Sequence, residues 1–193
     1  MSSSNLIRWS GLAAVVAGGL FIIVALIDLF VLSFGQNFTP SGLLFRSAVS
    51  GIAGALVVLG LIGLYAYQSE ATGIPGLLSV LMVTIGTVMV AQGFIWLALL
   101  ADLGWIFFGA SSLRARIYPR VATLLIIIGA VIVGVFSHLI SALIAGGPGG
   151  VLAYTGIGAS IILYVAIAWL GLILLAGRVQ EYQTRRLPHT RDQ

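Results

Sequence analysis

Long apolar runs broken by few polar positions dominate the chain. Stretches without any charged residue cover 9–27, 47–69, 71–101, 103–113 and 121–177. A helix that crosses a membrane needs about 20 predominantly apolar residues. The pattern therefore predicts transmembrane helices, and the last stretch is long enough for two of them.

Prolines and glycines mark the predicted helix ends. Pro40, Pro75, Pro119 and Pro148 each stand at or near the start of an apolar run, where the missing proline N–H costs no hydrogen bond. Thr39 is the predicted N-cap of the helix that follows it.

The stretch 74–113 is too long for one span. Its 40 residues would extend roughly 60 Å as a single helix, about twice the hydrocarbon thickness, so we divide it near Gln92–Gly93. We predict an all-α integral membrane bundle of six transmembrane helices without a cleaved signal peptide. It forms one domain, 1–177, with helices at about 9–34, 40–67, 75–92, 95–113, 119–145 and 150–177, followed by a basic cytoplasmic tail, 178–193.

Composition excludes a soluble domain. Charged residues make up 7% of the 193 residues and hydrophobic ones 60%, whereas soluble domains carry about 25% charged residues. There is no cysteine, hence no disulfide or thiol nucleophile, and no lysine for a Schiff base or a phosphate-binding loop. We expect no enzyme, no catalytic residues, no metal cluster and no nucleic-acid partner.

The arginines predict the orientation. With six spans, eight of the nine fall on one side: Arg8, Arg114, Arg116, Arg120, Arg178, Arg185, Arg186 and Arg191. The positive-inside rule then places both termini in the cytoplasm of a cell whose inner (plasma) membrane holds the protein.

Small residues four positions apart are frequent. The pairs include Ala14 with Gly18 and Ala130 with Gly134. Such pairs allow close approach of helix backbones in a membrane. They fit a dimer or complex interface, or ordinary packing within one bundle, which we favour.

Asp28 and Arg46 are intramembrane polar candidates that we expect to form an ion pair. Asp28 lies six residues before Phe34, and Arg46 lies six after Pro40. The two residues therefore lie at matching depth in an antiparallel hairpin of the first two helices. Buried charges in membranes are usually paired.

Asp102 is the strongest functional candidate. It lies 12 residues before Arg114, roughly 18 Å from the inner side and so near the midplane. We expect Thr87 at the same depth as a hydrogen-bond donor. The carboxylate indicates a proton or cation site, unless its helix begins later and leaves it near the outer surface.

His138 is the candidate cofactor-binding residue. It lies 18 residues after Arg120, roughly 27 Å from the inner side, at a depth similar to Gln92. An imidazole there can bind a pigment or haem, titrate near neutral pH, or simply pack through a hydrogen bond.

Four segments resemble small, uncharacterised multi-pass membrane proteins of bacteria. They are Ile7–Ala14 (IRWSGLAA), Gly63–Ala66 (GLYA), Gly104–Gly109 (GWIFFG) and Leu113–Arg120 (LRARIYPR). The resemblance implies a multi-pass inner-membrane fold and no activity for particular residues.

Three functions remain open from the sequence. The first is a non-catalytic accessory or scaffold subunit of a larger membrane complex, with lipids and other subunits or a second copy as partners. The second is a small-solute or proton-coupled transporter that uses Asp102 and His138. The third is a pigment- or haem-associated protein through His138.

Overall fold

The computed structural model describes residues 3–34, 38–91, 94–139 and 151–176, and these residues are helical apart from short connections. The five helices are α1 (Ser3–Ser33), α2 (Pro40–Ala91), α3 (Ala98–Ala115), α4 (Arg120–Ile132) and α5 (Val151–Leu175). A 3₁₀ turn, Ile95–Leu97, precedes α3, and a π-helical turn, Val133–Leu139, continues α4. No strand occurs within the described ranges, in agreement with the predicted all-α fold.

A single glycine divides α2 into two arms. Gly73 has φ 55° and ψ −140°, a left-handed conformation that glycine adopts without the steric cost of a Cβ atom. A Cβ atom on Gly54 would lie 3.2 Å from Cγ2 of Thr87, so the arms 40–72 and 74–91 fold back on each other. The predicted separation of these two helices is present, but the predicted connection, 68–74, is wrong because the first arm stays helical through residue 72.

Local capping explains several other helix ends. The N–H of Gly42 donates to the side-chain oxygen of Thr39 over 3.1 Å, as expected for the predicted N-cap. At the end of α3, Arg116 has φ 54° and its N–H donates to the carbonyl of Leu113. Pro119 follows, and α4 begins directly after it.

Two other predicted bounds shift. α1 begins at Ser3 rather than near residue 9, and α3 begins at Ala98 rather than near residue 95. The predicted helix 119–145 is helical from Arg120 through Leu139, and its predicted end lies outside the described residues. The divisions at Gln92–Gly93 and at 146–150, and the tail 178–193, lie outside the described residues.

The helices form a closed ring in which each packs against its neighbours in sequence and α5 returns to α1. The interior is lined by large apolar side chains with almost no exposure. They include Leu61, Leu64, Phe108, Ile126, Ile167 and Leu170.

The exterior of the ring is also apolar. Leu44, Ile74 and Trp96 each expose more than two thirds of their side chains, and similar residues occur along every long helix. Three helices are long and apolar enough to cross a membrane: Asn5–Ser33, Pro40–Val90 and Tyr154–Leu175. An apolar surface of this extent is typical of contact with lipid.

Glycines set the closest helix contacts. A Cβ atom on Gly171 would lie 2.6 Å from the carbonyl oxygen of Gly11, and one on Gly18 would lie 2.7 Å from that of Tyr164. Both contacts join α1 to α5, and Ala14 packs between Gly60 and Gly171. The Ala14 and Gly18 pair therefore serves packing within one bundle, as we favoured.

The contact between Gly171 and Gly11 predicts that an alanine at position 171 destabilises the protein. Gly171→Ala should lower the free energy of unfolding by about 1–3 kcal/mol, because the new methyl group overlaps a backbone that has no space to move. Gly158→Ala, also in α5, is the matched control, since nothing lies within 4 Å of its added Cβ atom. Thermal unfolding in mild detergent measures both, and equal losses would contradict the packing argument.

Candidate functional site

The bundle has one end rich in arginine, and Asp28, Asp102 and His138 lie toward the opposite end. Tyr118 lies between the arginines of the α3–α4 connection. Its hydroxyl group donates a hydrogen bond to the carbonyl of Leu64 over 2.8 Å. Gly63, the residue before Leu64, contacts Ser10, which lies near Arg8 in sequence. These contacts place Arg8, Arg114, Arg116 and Arg120 at one end of the described bundle.

Asp28 and Arg46 form the predicted ion pair at the opposite end. Nε and Nη2 of Arg46 each donate to one carboxylate oxygen of Asp28, and both distances are 2.6 Å. This two-point geometry fixes the plane of the guanidinium group. The side chains of Arg46 and Asp28 are 38% and 21% exposed, and the ring of Phe38 lies under the guanidinium at 5.9 Å.

A second pair joins Asp102 of α3 to His138 of the π-helical turn. Nδ1 of His138 lies 2.6 Å from Oδ2 of Asp102, and the two side chains are 25% and 9% exposed. The atom that carries the hydrogen donates the hydrogen bond, and the other atom accepts it. Asp102 is therefore buried against protein, and its depth in a membrane stays a prediction.

The π-helical turn brings His138 to this position. A turn of this type contains more residues than an α-helical turn and occurs often at functional sites. Gly134 lies on the same turn, and a Cβ atom there would be only 3.3 Å from Cβ and Oδ2 of Asp102. The missing side chain at Gly134 allows the turn to approach the carboxylate.

Sequence reasoning missed the Asp102–His138 pair. Counting 1.5 Å per residue placed the two side chains about 9 Å apart in depth, because it assumed straight, parallel α-helices. No spacing along a single helix indicates this pair, because it depends on the π-helical turn and on how that turn packs against α3.

Arg46 of the first pair and both residues of the second pair line one cavity of about 580 Å³ in the half of the bundle remote from the arginine-rich end. Its ionisable lining residues are Arg46, Asp102, His138 and Tyr164. Its hydroxyl groups come from residues of α2 and α5, and its apolar wall includes two aromatic rings. These residues are Ser47, Ser50, Thr87, Ser160, Phe21 and Trp105.

The polar groups around the cavity keep unused hydrogen-bonding capacity. Within the described residues, Nε2 of His138, Oδ1 of Asp102 and Nη1 of Arg46 have no hydrogen-bond partner. A volume of this size lies within the range of small-molecule sites, about 300–1,000 Å³. The cavity can therefore take a small ligand that interacts with these groups.

The remaining predicted site residues are only partly located. Thr87 lines the cavity with Asp102, but no hydrogen bond joins them among the described contacts. Gln92, expected at a depth similar to His138, lies outside the described residues.

A haem or pigment on His138 stays a prediction. With Nδ1 held by a carboxylate, Nε2 faces outward in the arrangement that metal-ligating histidines commonly have. No group of three or more metal-ligating side chains occurs in the part of the chain that the structure describes.

A buried polar cluster near the arginine-rich end was not expected. The hydroxyl of Ser112 donates to Oε1 of Gln68 over 2.6 Å, and the hydroxyl of Thr72 donates to the carbonyl of Gln68 over 3.0 Å. Nε2 of Gln68 is buried without a partner among the described atoms. This cluster joins α2 to α3 on the far side of Phe108 from Asp102.

No family model, curated protein or solved structure matches the chain. The cavity and the ionisable residues around it are therefore the basis for the proposed function.

The Asp28–Arg46 geometry predicts energetic coupling. In a double-mutant cycle of Asp28→Asn and Arg46→Gln, we expect a coupling free energy of about 0.5–2 kcal/mol, because either single change leaves the other charge without its partner. Chemical unfolding in detergent measures each variant.

The control cycle combines Asp28→Asn with Arg8→Gln. Arg8 is exposed at the other end of the bundle, so these two changes should add without coupling. Equal coupling in the two cycles would show that the ion pair has no specific energetic role.

Proposed function

We propose that this protein is a six-span membrane carrier that binds a small polar solute in the cavity and exchanges a proton at the Asp102–His138 pair. The observation that carries the proposal is the pair itself, at 2.6 Å beside a cavity of about 580 Å³. Ionisable residues within membrane bundles commonly mark proton relays and substrate pathways. The pair leaves Nε2 of His138 and Oδ1 of Asp102 without a hydrogen-bond partner among the described residues, so both atoms are available to a ligand.

The six crossings and their direction belong to the same proposal. The Gly73 reversal supports counting the two arms of α2 as separate spans. The arginines that collect at one end of the bundle support a cytoplasmic position for that end and for both termini, in the inner membrane. The cavity would then lie in the outer half of the bilayer.

The pair is suited to proton exchange. With a neutral imidazole and an ionised carboxylate it carries one negative charge, and uptake of one proton makes it neutral. A solute that contacts Nε2 or Oδ1 changes the free energy of that uptake, which links binding to protonation.

The accessory-subunit role stays a prediction. Lipid covers the exposed apolar side chains as well as a protein partner would, and no described feature favours a partner over lipid. The expectation that the protein is not an enzyme also stays a prediction.

The topology is testable because the chain contains no cysteine. Ser41→Cys, next to the start of α2, should react with a membrane-impermeant maleimide on intact cells. Ala71→Cys, beside Gly73, should react only after permeabilisation. Both positions are exposed, so the reverse labelling pattern would overturn the proposed orientation.

Proton exchange is tested in liposomes that contain a pH-sensitive dye. One solute of each charge class is added outside: lactate, alanine, choline or glucose. At least one should change the internal pH, and Asp102→Asn should reduce the initial rate at least tenfold, because the variant lacks the negative charge that stabilises the added proton.

Glu70→Gln is the matched control, since it removes an exposed carboxylate near the other end of the bundle. It should keep the rate of the unmodified protein, with gel filtration confirming that all variants are folded. Equal rates in Asp102→Asn and the unmodified protein, or no pH change with any solute class, would refute the carrier.

A further inference from the structure

The ionisable lining of the cavity limits the charge of its ligand. Arg46, Asp102, His138 and Tyr164 face this space from α2, α3, the π-helical turn and α5. Asp28 is not among the lining residues, although it holds Arg46 by two hydrogen bonds. Arg46 therefore lines the cavity, while the carboxylate that compensates its charge belongs to a residue outside the lining.

The two-point bond leaves a defined donor edge on Arg46. Asp28 takes Nε and Nη2, and Nη1 has no hydrogen-bond partner among the described residues. Because Asp28 fixes the guanidinium plane, the Nη1 donors are already oriented before a ligand arrives. Oriented arginine donors are well suited to carboxylates and other planar anions.

The charge of the Asp102–His138 pair indicates how many negative charges the ligand carries. Uptake of one proton by the Asp102–His138 pair removes one negative charge from the cavity. A monoanion that enters with one proton thus leaves the total charge unchanged, which matters in a medium of low dielectric constant. A dianion such as phosphate would need a second proton, and a cation would lie beside Arg46.

The rest of the wall indicates an apolar body on the ligand. Phe21 and Tyr164 stack with their ring centroids 4.4 Å apart, and the buried ring of Trp105 borders the same space. Leu163 and Ile167 add aliphatic surface. Such a wall favours a hydrocarbon or aromatic group over a sugar or a free inorganic ion.

We infer that the cavity binds a small organic monocarboxylate, with its carboxylate at Nη1 of Arg46, together with one proton taken up by Asp102 and His138. The inference rests on the proposed solute site but not on transport, since it concerns binding at equilibrium. The carboxylate is that of a free small molecule rather than of a fatty acid from the bilayer.

Three ligands of similar shape test the charge. Benzoate, benzamide and benzylamine share an aromatic body and differ in carrying a negative charge, no charge or a positive charge. The full-length protein is placed in nanodiscs, with Trp9, Trp96 and Trp169 changed to Phe. These three tryptophans are exposed, so Trp105 remains as the fluorescent reporter at the cavity.

Benzoate should bind at least tenfold more tightly than benzamide or benzylamine, as expected for a hydrogen bond between two charged groups. Equal affinities for the three ligands, or tightest binding of benzylamine, would overturn the inference. Laurate is the fourth ligand, and tighter binding of laurate than of benzoate would instead indicate a fatty acid and overturn the proposed source.

The arginine is tested with the double variant Asp28→Asn, Arg46→Gln, which removes both charges together and so leaves neither unpaired. Its affinity for benzoate should fall at least tenfold, to the level of benzamide, while its affinity for benzamide stays unchanged. Unchanged binding of benzoate would overturn the role of Arg46. The unchanged benzamide affinity also reports that the variant is folded.

The proton is counted by calorimetry in two buffers with different ionisation enthalpies. About one proton should be taken up per benzoate near neutral pH, and none in Asp102→Asn. No uptake by the unmodified protein would overturn that part of the inference. Benzoate binding without any flux in liposomes would refute the carrier and keep the monocarboxylate site, so the two failures are distinguishable.

Discussion

Pairing of opposite charges away from water is the constraint on which this structure depends. The exterior of the bundle is apolar, so a charged side chain on the membrane portion cannot be solvated where it stands. Asp28 with Arg46 and Asp102 with His138 meet this constraint in different ways. In the first pair, two hydrogen bonds join the guanidinium group to both carboxylate oxygens. The second pair has one hydrogen bond, and it leaves Nε2 of His138 and Oδ1 of Asp102 without a partner among the described residues.

The helices around these pairs are held by close packing rather than by the hydrophobic effect. Lipid is as apolar as the core, so burial of leucine gains little in a membrane, and contact between backbones gains more. The carbonyl of Gly11 against Gly171, and Gly134 against Asp102, show the two uses of this packing. The first joins helices, and the second brings the carboxylate of Asp102 next to the imidazole of His138. The buried Gln68–Ser112 bond gives the arginine-rich end a comparable fixed point.

Much of this architecture could be predicted from the sequence, because long apolar runs, prolines and charged residues mark membrane helices and their ends. Thr39 and Pro40 mark a helix start in both sequence and structure. Asp28 and Arg46 were paired by counting residues from the ends of one hairpin, where errors in depth are small. The connection 68–74 was misplaced because polar residues such as Gln68 and Glu70 indicate a loop, while Gly73 alone reverses the chain.

The candidate site was predicted only as separate residues. Pairing Asp102 with His138 requires the relative position of α3 and the π-helical turn, which depends on side chains from several helices. Counting along one helix cannot give that position. The cavity is still harder to predict, because it is the space that remains between α2, α3 and α5 after they have packed. Gln68 and Ser112 were missed for a similar reason, because neither residue is unusual until its neighbour is known.

The return of α5 to α1 has a consequence for biogenesis. The hairpin that holds Asp28 and Arg46 uses neighbouring segments and can assemble as soon as both have left the ribosome. The ring, in contrast, closes only when Val151–Leu175, the last helix of the described residues, reaches Gly11 and Gly18. Until then, the face of α1 that carries these two glycines has no helix packed against it.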